Sequence, residues 1–270
     1  MTSDYLPSGI FYRSWPCQDA KALILISHGL GEHSGRYQQT ATDFNDAGFS
    51  VVALDHIGHG QSPGRRAYAE GFAALVTPLA ELRDHLKSIH PELPVFLIGH
   101  SMGGLIAASS LITDQNDYCG AILTGPALGL PAPPPLWQVL LLRALSWMAP
   151  TAKAFDIDSS AISRDAAVVE AYLADDLVHH QNIPARTAVA LLDEGGRVLQ
   201  EASRISLPLL LLHGAEDKLT SVAASKTFVE QLGSSDKQIT VYDGVFHELF
   251  NEPERDDIIN TCITWINARL

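Results

Sequence analysis

Residues 95–104 read VFLIGHSMGG, an apolar run followed at once by a serine that lies between two glycines. The apolar run is short, which is typical of a buried strand, and residues 105–112 behind it suit a helix. Gly99 and Gly103 lie two residues before and after Ser101, where a side chain would crowd a tight turn. The pattern predicts a strand-to-helix turn that holds the Ser101 hydroxyl above a sheet in a strained backbone conformation.

Short apolar runs alternate with longer helix-period segments along the rest of the chain. This alternation is the pattern of a parallel sheet flanked by helices, so the predicted fold class is α/β. We expect strands at Ala22–Ser27, Ser50–Leu54, Val95–Ile98, Ala121–Thr124, Leu209–His213 and Gln238–Tyr242, with an extra edge strand at Ile10–Trp15.

The alternation breaks at residues 130–135, which read LPAPPP. Prolines cannot continue a helix or sit in a central strand. The strongly apolar segment Leu136–Met148 follows, and no clear buried strand comes after it for some sixty residues. We therefore expect a helical cap, or lid, over residues 127–186, inserted into a core formed by residues 1–126 and 187–270.

The cap segment Leu136–Met148 is too apolar for an ordinary exposed helix. One interpretation is a surface that lines an acyl pocket or touches lipid, and the other is a helix buried against the core. Opposite faces of one helix can satisfy both. We expect Leu136, Val139 and Leu140 to contact the acyl part of a substrate.

Composition narrows the classes of partner and compartment. The 270 residues are 46% hydrophobic, enough for a full core, and the formal net charge is −13. That charge argues against nucleic acid and against strong adsorption to anionic membranes. Neither a signal peptide nor a membrane-spanning stretch is evident. We expect a cytoplasmic protein with at most a peripheral membrane contact, and composition leaves the oligomeric state open.

Cysteine and histidine spacing predicts no metal site, and the serine chemistry predicted below needs neither a metal nor an organic cofactor. Cys17, Cys119 and Cys262 are odd in number and far apart, so no disulfide framework or zinc spacing is present. His56 and His59 have a spacing that could suit a metal, but no carboxylate or cysteine completes a ligand set. A loop role suits these two histidines better.

A serine hydroxyl is a weak nucleophile, so it needs a base to take its proton and an acid to orient that base. After a strand-to-helix serine the expected chain order is acid and then histidine. The predicted strand Leu209–His213 ends in a turn that presents Asp217. The predicted strand Gln238–Tyr242 leads to a loop that presents His247. We predict a triad of Ser101, Asp217 and His247, with Glu216 and Asp243 as rival acids and His213 as a rival histidine.

The same chemistry needs backbone donors for an oxyanion. The N–H of Met102, directly after the serine, is one candidate. The loop SHGLG at residues 27–31 follows an early strand and offers the N–H of Leu30 as the second. His28 in this loop could be catalytic, but bracing the loop by hydrogen bonding is the simpler role.

Several runs carry a family resemblance that covers about residues 10–268. They are HGLGEHSGRY at 28–37, DHIGHGQSPG at 55–64, GHSMGG at 99–104, SRD at 163–165 and the HG and D of residues 213–217. Together they resemble the monoglyceride lipases and related lysophospholipases of the α/β-hydrolase fold, and the compact cap is similar to that of bacterial members.

The resemblance implies that Ser101, Asp217 and His247 are the triad and that Leu30 and Met102 are the oxyanion donors. It also implies that Glu32 and Arg36 shape the polar end of the pocket, near the glycerol. The eukaryotic enzymes carry a second histidine where this chain has Phe250, so that glycerol contact does not carry over.

The sequence thus predicts a serine hydrolase that cleaves monoacylglycerols to glycerol and a fatty acid through an acyl-enzyme. Its partner is a small lipid ester, and its cap could touch membranes or lipid aggregates. The alternatives are a lysophospholipase or broad carboxylesterase and, from another class, a non-catalytic binding protein that reuses the fold.

Overall fold

The computed structural model describes residues 1–270 and contains ten strands and eight α-helices. The strands are Thr2–Tyr5 (β1), Phe11–Trp15 (β2), Ala22–Ser27 (β3), Phe49–Leu54 (β4), Val95–His100 (β5), Gly120–Thr124 (β6), Lys153–Phe155 (β7), Ile183–Pro184 (β8), Leu209–Gly214 (β9) and Lys237–Tyr242 (β10). The helices are Gln38–Asp46 (α1), Ala73–Ile89 (α2), Met102–Thr113 (α3), Leu136–Met148 (α4), Ala166–Ala174 (α5), Ala185–Glu201 (α6), Val222–Gln231 (α7) and Arg255–Asn267 (α8).

Eight strands form the main sheet in the order β1-β2-β4-β3-β5-β6-β9-β10. From β4 to β10 all neighbours are parallel, whereas β1 and β2 run antiparallel at one end. Parallel strands need crossover connections, which the helices supply. The carboxyl ends of β3, β5, β6 and β9 therefore meet at one edge, where open α/β sheets bind their ligands.

Both faces of the sheet are buried. Side chains alternate along a strand, so Leu23 and Leu25 of β3 join one core while Ile24 and Ile26 join the other. Helices α2, α3, α6 and α7 cover the first core, and α1 and α8 cover the second. This two-sided burial explains why β3, β4, β5, β6 and β9 are nearly continuous apolar runs rather than alternating ones.

The six predicted buried strands are all present, with ends that differ by at most two residues. The expectation of an edge strand at Ile10–Trp15 is wrong in one respect, because β1 pairs outside β2 and takes the edge itself. All four residues of β1 are exposed. An exposed strand has no buried face, so it leaves no hydrophobic periodicity to detect.

No strand of the main sheet lies between β6 and β9. The predicted cap of residues 127–186 contains α4, α5 and the small β7–β8 pair, and α6 begins at its last two residues. Helix α6 packs on α3 and joins the core layer, whereas α4 packs on α6 alone among the helices. The boundaries of the cap stay a prediction. None of the helices combines the length and hydrophobicity needed to cross a bilayer.

Candidate active site

Ser101 lies between β5 and α3 with φ 53° and ψ −119°, a conformation that non-glycine residues rarely adopt. The flanking glycines are required by close packing. A methyl group added to Gly103 would lie 1.9 Å from the Ser27 carbonyl oxygen, and one added to Gly99 would lie 2.6 Å from the Gly103 carbonyl oxygen. The start of α3 therefore presses directly on β3, and the serine takes the strained position between them.

Asp217 and His247 form a buried pair at the same edge of the sheet. Asp217 follows β9, His247 follows β10, and His247 Nδ1 lies 2.7 Å from Asp217 Oδ2. The other carboxylate oxygen of Asp217 accepts the N–H groups of Leu219 (2.8 Å) and Thr220 (2.9 Å). The Thr220 hydroxyl donates to Oδ2 at 2.8 Å. The carboxylate is thus held in place before it orients the imidazole.

The charges of this pair reinforce one another. Burial alone would raise the pKa of Asp217, but the charge and hydrogen bond of His247 and the bonds from its other neighbours hold that pKa well below the usual range. Burial alone would lower the pKa of His247, yet the Asp217 charge and hydrogen bond raise it above the ordinary value of 6.5. Asp217 therefore stays ionised, and His247 presents an Nδ1–H to it.

The backbone brings Ser101 to the same place as this pair. The Ser101 N–H donates to the Thr124 carbonyl at 3.0 Å. A methyl group added to the next residue, Gly125, would lie 3.2 Å from His247 Nδ1 and 3.3 Å from Asp217 Oδ2. The side-chain hydrogen bonds of His247 run through Nδ1, which leaves Nε2 to face a nucleophile. The structure has no hydrogen bond between the Ser101 hydroxyl and His247, whose side chain bonds to Asp217 and Thr220. Serine–histidine bonds are often long or poorly aligned in free hydrolases and tighten when substrate binds.

The rival acids and the rival histidine take other positions. Glu216 and Asp243 are exposed, and neither bonds to a histidine. His213 is fully buried, with Nε2 at 3.1 Å from Asp217 Oδ2 and Nδ1 at 2.9 Å from the Ser225 hydroxyl. Both of its nitrogens are occupied, so His213 supports Asp217 from behind and is not free to act as the base.

His28 aims the predicted oxyanion loop. Its Nε2 accepts the His56 N–H at 2.9 Å, so the proton is on Nδ1, which donates to the Gly29 carbonyl at 2.8 Å. The C=O and N–H of a trans peptide point in opposite directions. Fixing the Gly29 carbonyl therefore turns the Leu30 N–H the other way, and that N–H has no backbone partner. Burial lowers the pKa of His28, which keeps the ring neutral as this arrangement requires.

The second predicted donor and the serine lie beside this loop. Met102 is the first residue of α3, where an N–H has no intrahelical acceptor. A methyl group added to Gly29 would lie 3.3 Å from Ser101 Cβ and 3.1 Å from His100 Cδ2. The two unpaired N–H groups thus border the serine from the loop side and the helix side.

Glu32 and Arg36, predicted to contact substrate, lie in a buried ion-pair cluster next to this loop. Glu32 Oε1 accepts the Gly29 N–H at 2.6 Å, and Arg36 donates to Glu32 Oε2 at 3.0 Å. Arg36 also makes two bonds to Glu248, of 2.6 and 2.8 Å, and packs 4.7 Å from the Tyr172 ring centroid in α5. Burial alone would raise the pKa of Glu32, but Arg36 and its other donors lower it to about 2.

Sequence reasoning missed two residues of the site. Thr220 holds Asp217, and Glu248 binds Arg36, which is 212 positions away in the sequence. Glu248 directly follows His247, and that adjacency is the one signal that could have drawn attention to it. No spacing rule pairs two residues so far apart.

The predicted acyl contacts in α4 are less buried than the rest of the site. Leu136 and Leu140 are 72% and 57% exposed, and Val139 is partly buried. The same helix exposes Trp137, Leu141, Trp147 and Met148. Six large apolar side chains of one helix are thus exposed, and apolar surfaces of this kind mark contacts with lipid, ligand or protein.

A buried carboxylate–imidazole pair beside a strained serine, with unpaired N–H groups bordering it, is the equipment of a serine hydrolase. Comparison with known proteins points the same way. The family described as serine aminopeptidase, S33, matches residues 18–254. A monoacylglycerol lipase from Mycolicibacterium smegmatis is 37% identical over 97% of this chain and 94% of its own. The monoglyceride lipase of Homo sapiens is 34% identical over 96% of this chain and 87% of its own.

Solved structures agree with the sequence relatives. The crystal structure of a monoacylglycerol lipase from Paleococcus ferrophilus matches with a TM-score of 0.88 and 30% identity, over 97% of this chain and 99% of that one. The chain belongs to the serine aminopeptidase S33 family, and its similarity to the monoacylglycerol lipases extends over nearly its whole length. The predicted α/β-hydrolase fold and the resemblance seen in the sequence are confirmed.

The raised pKa of His247 predicts where activity is lost in acid. The base must be neutral to accept the serine proton, so kcat/KM falls as pH drops through the pKa of the free enzyme. The acid midpoint of kcat/KM for a soluble ester should therefore lie above 6.5. Circular dichroism at each pH checks that the protein stays folded, and a midpoint at or below 6.5 in folded protein contradicts the assignment.

Proposed function

We propose that this protein hydrolyses the ester bond of monoacylglycerols to give glycerol and a fatty acid. The observation that carries the proposal is the Asp217–His247 pair, 2.7 Å apart, at the sheet edge that also presents Ser101. The family description names a peptidase, but the relatives with full-length matches are named as lipases. They support the prediction of a carboxylic ester hydrolase.

In the proposed reaction the Ser101 oxygen attacks the ester carbonyl while His247 Nε2 takes its proton. The Leu30 and Met102 N–H groups donate to the oxyanion. The ester C–O bond then breaks, and His247 returns the proton to the departing glycerol oxygen. In the second half, His247 deprotonates a water molecule whose oxygen attacks the acyl carbon. The bond from that carbon to the Ser101 oxygen then breaks, His247 returns the proton to the Ser101 oxygen, and the fatty acid leaves. Asp217 stays ionised throughout and balances the imidazolium. Each oxyanion donor lowers the activation barrier by on the order of 3 kcal/mol.

The charge of the polar cluster favours a neutral head group. Arg36 is bound by both Glu32 and Glu248, so the cluster carries two carboxylates for one guanidinium. The cavity beside it also borders His100 and measures about 10 Å³, room for one water-sized group. A glycerol hydroxyl fits this setting, whereas a phosphate would meet excess negative charge. We place the glycerol at Glu32 and Arg36 and favour a monoacylglycerol over a lysophospholipid on this ground.

The exposed apolar surface of α4 suits contact with a lipid aggregate. Trp137 and Trp147 of this helix are exposed. Tryptophan is enriched where water meets lipid, because its ring is apolar and its N–H is polar. The formal net charge of −13 favours a neutral surface over an anionic one. Val139, on the partly buried side of the helix, is a proposed contact of the acyl chain. The exposed Leu136 and Leu140 are proposed to contact the acyl chain when the helix lies on a lipid aggregate.

The proposed location is cytoplasmic, with this peripheral contact. The three cysteines are all unpaired, as reducing compartments favour. No nucleic acid is expected as a partner.

Ser101→Ala removes the nucleophile and should lower kcat for a monoacylglycerol more than about 10³-fold without changing the melting temperature by more than a few degrees. Intact-mass analysis after a fluorophosphonate probe should find one adduct on the wild-type protein and none on the variant. Ser88→Ala, on the far end of α2, is the matched control. An unlabelled but folded wild-type protein would favour the non-catalytic binding protein.

Head-group preference separates the proposed function from its alternatives. Substrates with one common acyl chain should be compared, namely a monoacylglycerol, a lysophosphatidylcholine and a p-nitrophenyl ester. We expect kcat/KM for the monoacylglycerol to exceed that for the lysophospholipid at least about 10-fold, which corresponds to about 1.4 kcal/mol. The reverse order would establish the lysophospholipase, and equal values would establish a broad esterase.

Polar substitutions on the exposed side of α4 test the lipid contact. Leu141→Ser with Trp147→Ser, at residues 62% and 80% exposed, should weaken co-sedimentation with neutral lipid vesicles and lower activity on emulsified monoacylglycerol. Activity on soluble p-nitrophenyl acetate should not change. Leu173→Ser in α5, also an exposed leucine, is the control. Unchanged sedimentation of the double variant would remove α4 as the lipid-binding element.

A further inference from the structure

The segment Ala161–Asp165, which contains the SRD run, takes no part in the proposed chemistry. It lies in the predicted cap just before α5, and Ala161, Ile162 and Ser163 are buried. Its contacts run to the loop that carries His247. The Ile162 carbonyl accepts the N–H of Glu248, the residue after the catalytic histidine, at 2.7 Å.

A fully buried carboxylate makes the second link between this segment and the loop. Glu252 Oε1 accepts the Arg164 N–H at 2.6 Å, and its Oε2 accepts Arg164 Nε at 2.6 Å. The same Oε2 lies 3.3 Å from the N–H of Phe246, the residue before His247. The Ser163 hydroxyl donates to the Asn251 carbonyl at 2.9 Å. The Glu252 carboxylate thus joins Arg164 of the cap to Phe246, the residue directly before the proposed catalytic base.

The backbone on both sides of His247 is therefore held by this cap segment or by Glu252. On the opposite side the loop rests on the end of β9, where the Glu216 N–H donates to the Val245 carbonyl at 3.0 Å. The backbone that carries the His247 imidazole is thus hydrogen-bonded to the core before it, at Val245, and to the cap after it, at Glu248. The 2.7 Å bond from the imidazole to Asp217 requires both to keep their places.

We propose that Glu252 is a positioning residue for His247, an inference that rests on the proposed function. Through Arg164 it makes residues 161–165 a fixed support of the catalytic base. The cap then has two parts with different duties. Helix α4 presents an apolar surface outward, and the segment before α5 completes the frame of the active site.

The chemistry of the contacts requires a carboxylate at this position. Every partner of Glu252 is a donor, namely two N–H groups of Arg164 and one of Phe246. An amide side chain supplies one acceptor oxygen and turns an NH₂ group toward the remaining donors. Because the Glu252 side chain is fully buried, its donor partners then face an NH₂ group in place of an acceptor, and the loop must shift to relieve the conflict.

Glu252→Gln tests this directly, and Glu254→Gln is the matched control. Glu254 binds the same Arg164 guanidinium, but its side chain is 40% exposed and makes no hydrogen bond to residues 246–248. We expect Glu252→Gln to lower kcat for soluble p-nitrophenyl acetate at least about 10-fold with KM within about 3-fold, because alignment of the base is lost and binding is kept. Ser163→Ala, which removes one bond of the same segment, should show a smaller change in the same direction.

The pH profile distinguishes positioning from general destabilisation. The pKa of His247 is raised by Asp217, so an imidazole displaced from that carboxylate titrates lower. The acid midpoint of kcat/KM should therefore move down in Glu252→Gln and stay in place in Glu254→Gln. If Glu252→Gln fails to fold, the same shift is sought in Ser163→Ala.

Unchanged kcat and acid midpoint in folded Glu252→Gln would overturn the inference, and so would equal losses in Glu254→Gln. If Glu252→Gln does not fold, an unmoved acid midpoint in Ser163→Ala overturns it as well. These results leave the proposed function intact as long as Ser101→Ala abolishes turnover. A Ser101→Ala variant that keeps wild-type turnover would instead remove the proposed function itself.

Discussion

The proposed active site depends on one hydrogen bond, between the buried carboxylate of Asp217 and the imidazole of His247. Removing a charge from water is costly, and this carboxylate is stabilised because Leu219, Thr220 and both neighbouring histidines donate to it. As a result, the pKa of this carboxyl lies well below its usual range, and the group is ionised at neutral pH. It fixes which nitrogen of His247 carries the proton, and that choice leaves Nε2 as the nitrogen that can accept one.

A second buried carboxylate organises the opposite side of the serine. Glu32 takes the Gly29 N–H, while His28 takes the carbonyl of the same residue, so the oxyanion loop is held from both directions. Arg36 extends this cluster to Glu248 and to the ring of Tyr172 in α5. The oxyanion loop, the histidine loop and the cap are thereby joined through charged side chains. Donors that are fixed before the reaction begins cost no rearrangement when charge develops.

Local sequence signals predicted the sheet and the serine turn, because burial on both faces and close packing at Gly99 and Gly103 leave short-range patterns. The order of serine, acid and histidine supplied the rest of the predicted triad. The same reasoning could not find Glu248 or Glu252, since their partners Arg36 and Arg164 are 212 and 88 positions away. Ion pairs of that kind follow from the folded topology, and one chain alone carries no trace of them. Strand β1 was not predicted for a different reason, because all its residues are exposed and such a strand has no apolar face.

The histidines around the oxyanion loop limit the conditions in which this fold survives. Burial holds the pKa of His28, His56, His59 and His100 below the ordinary value, to about 3 for His59 and about 4 for His100. Once the pH drops below about 6.5, the unfolded chain therefore binds more protons than the folded one. The free energy of unfolding then decreases as the pH falls further. The rings that orient the catalytic loop at neutrality thus become a source of acid lability. We therefore expect the folded state to be more stable at neutral pH than in acid.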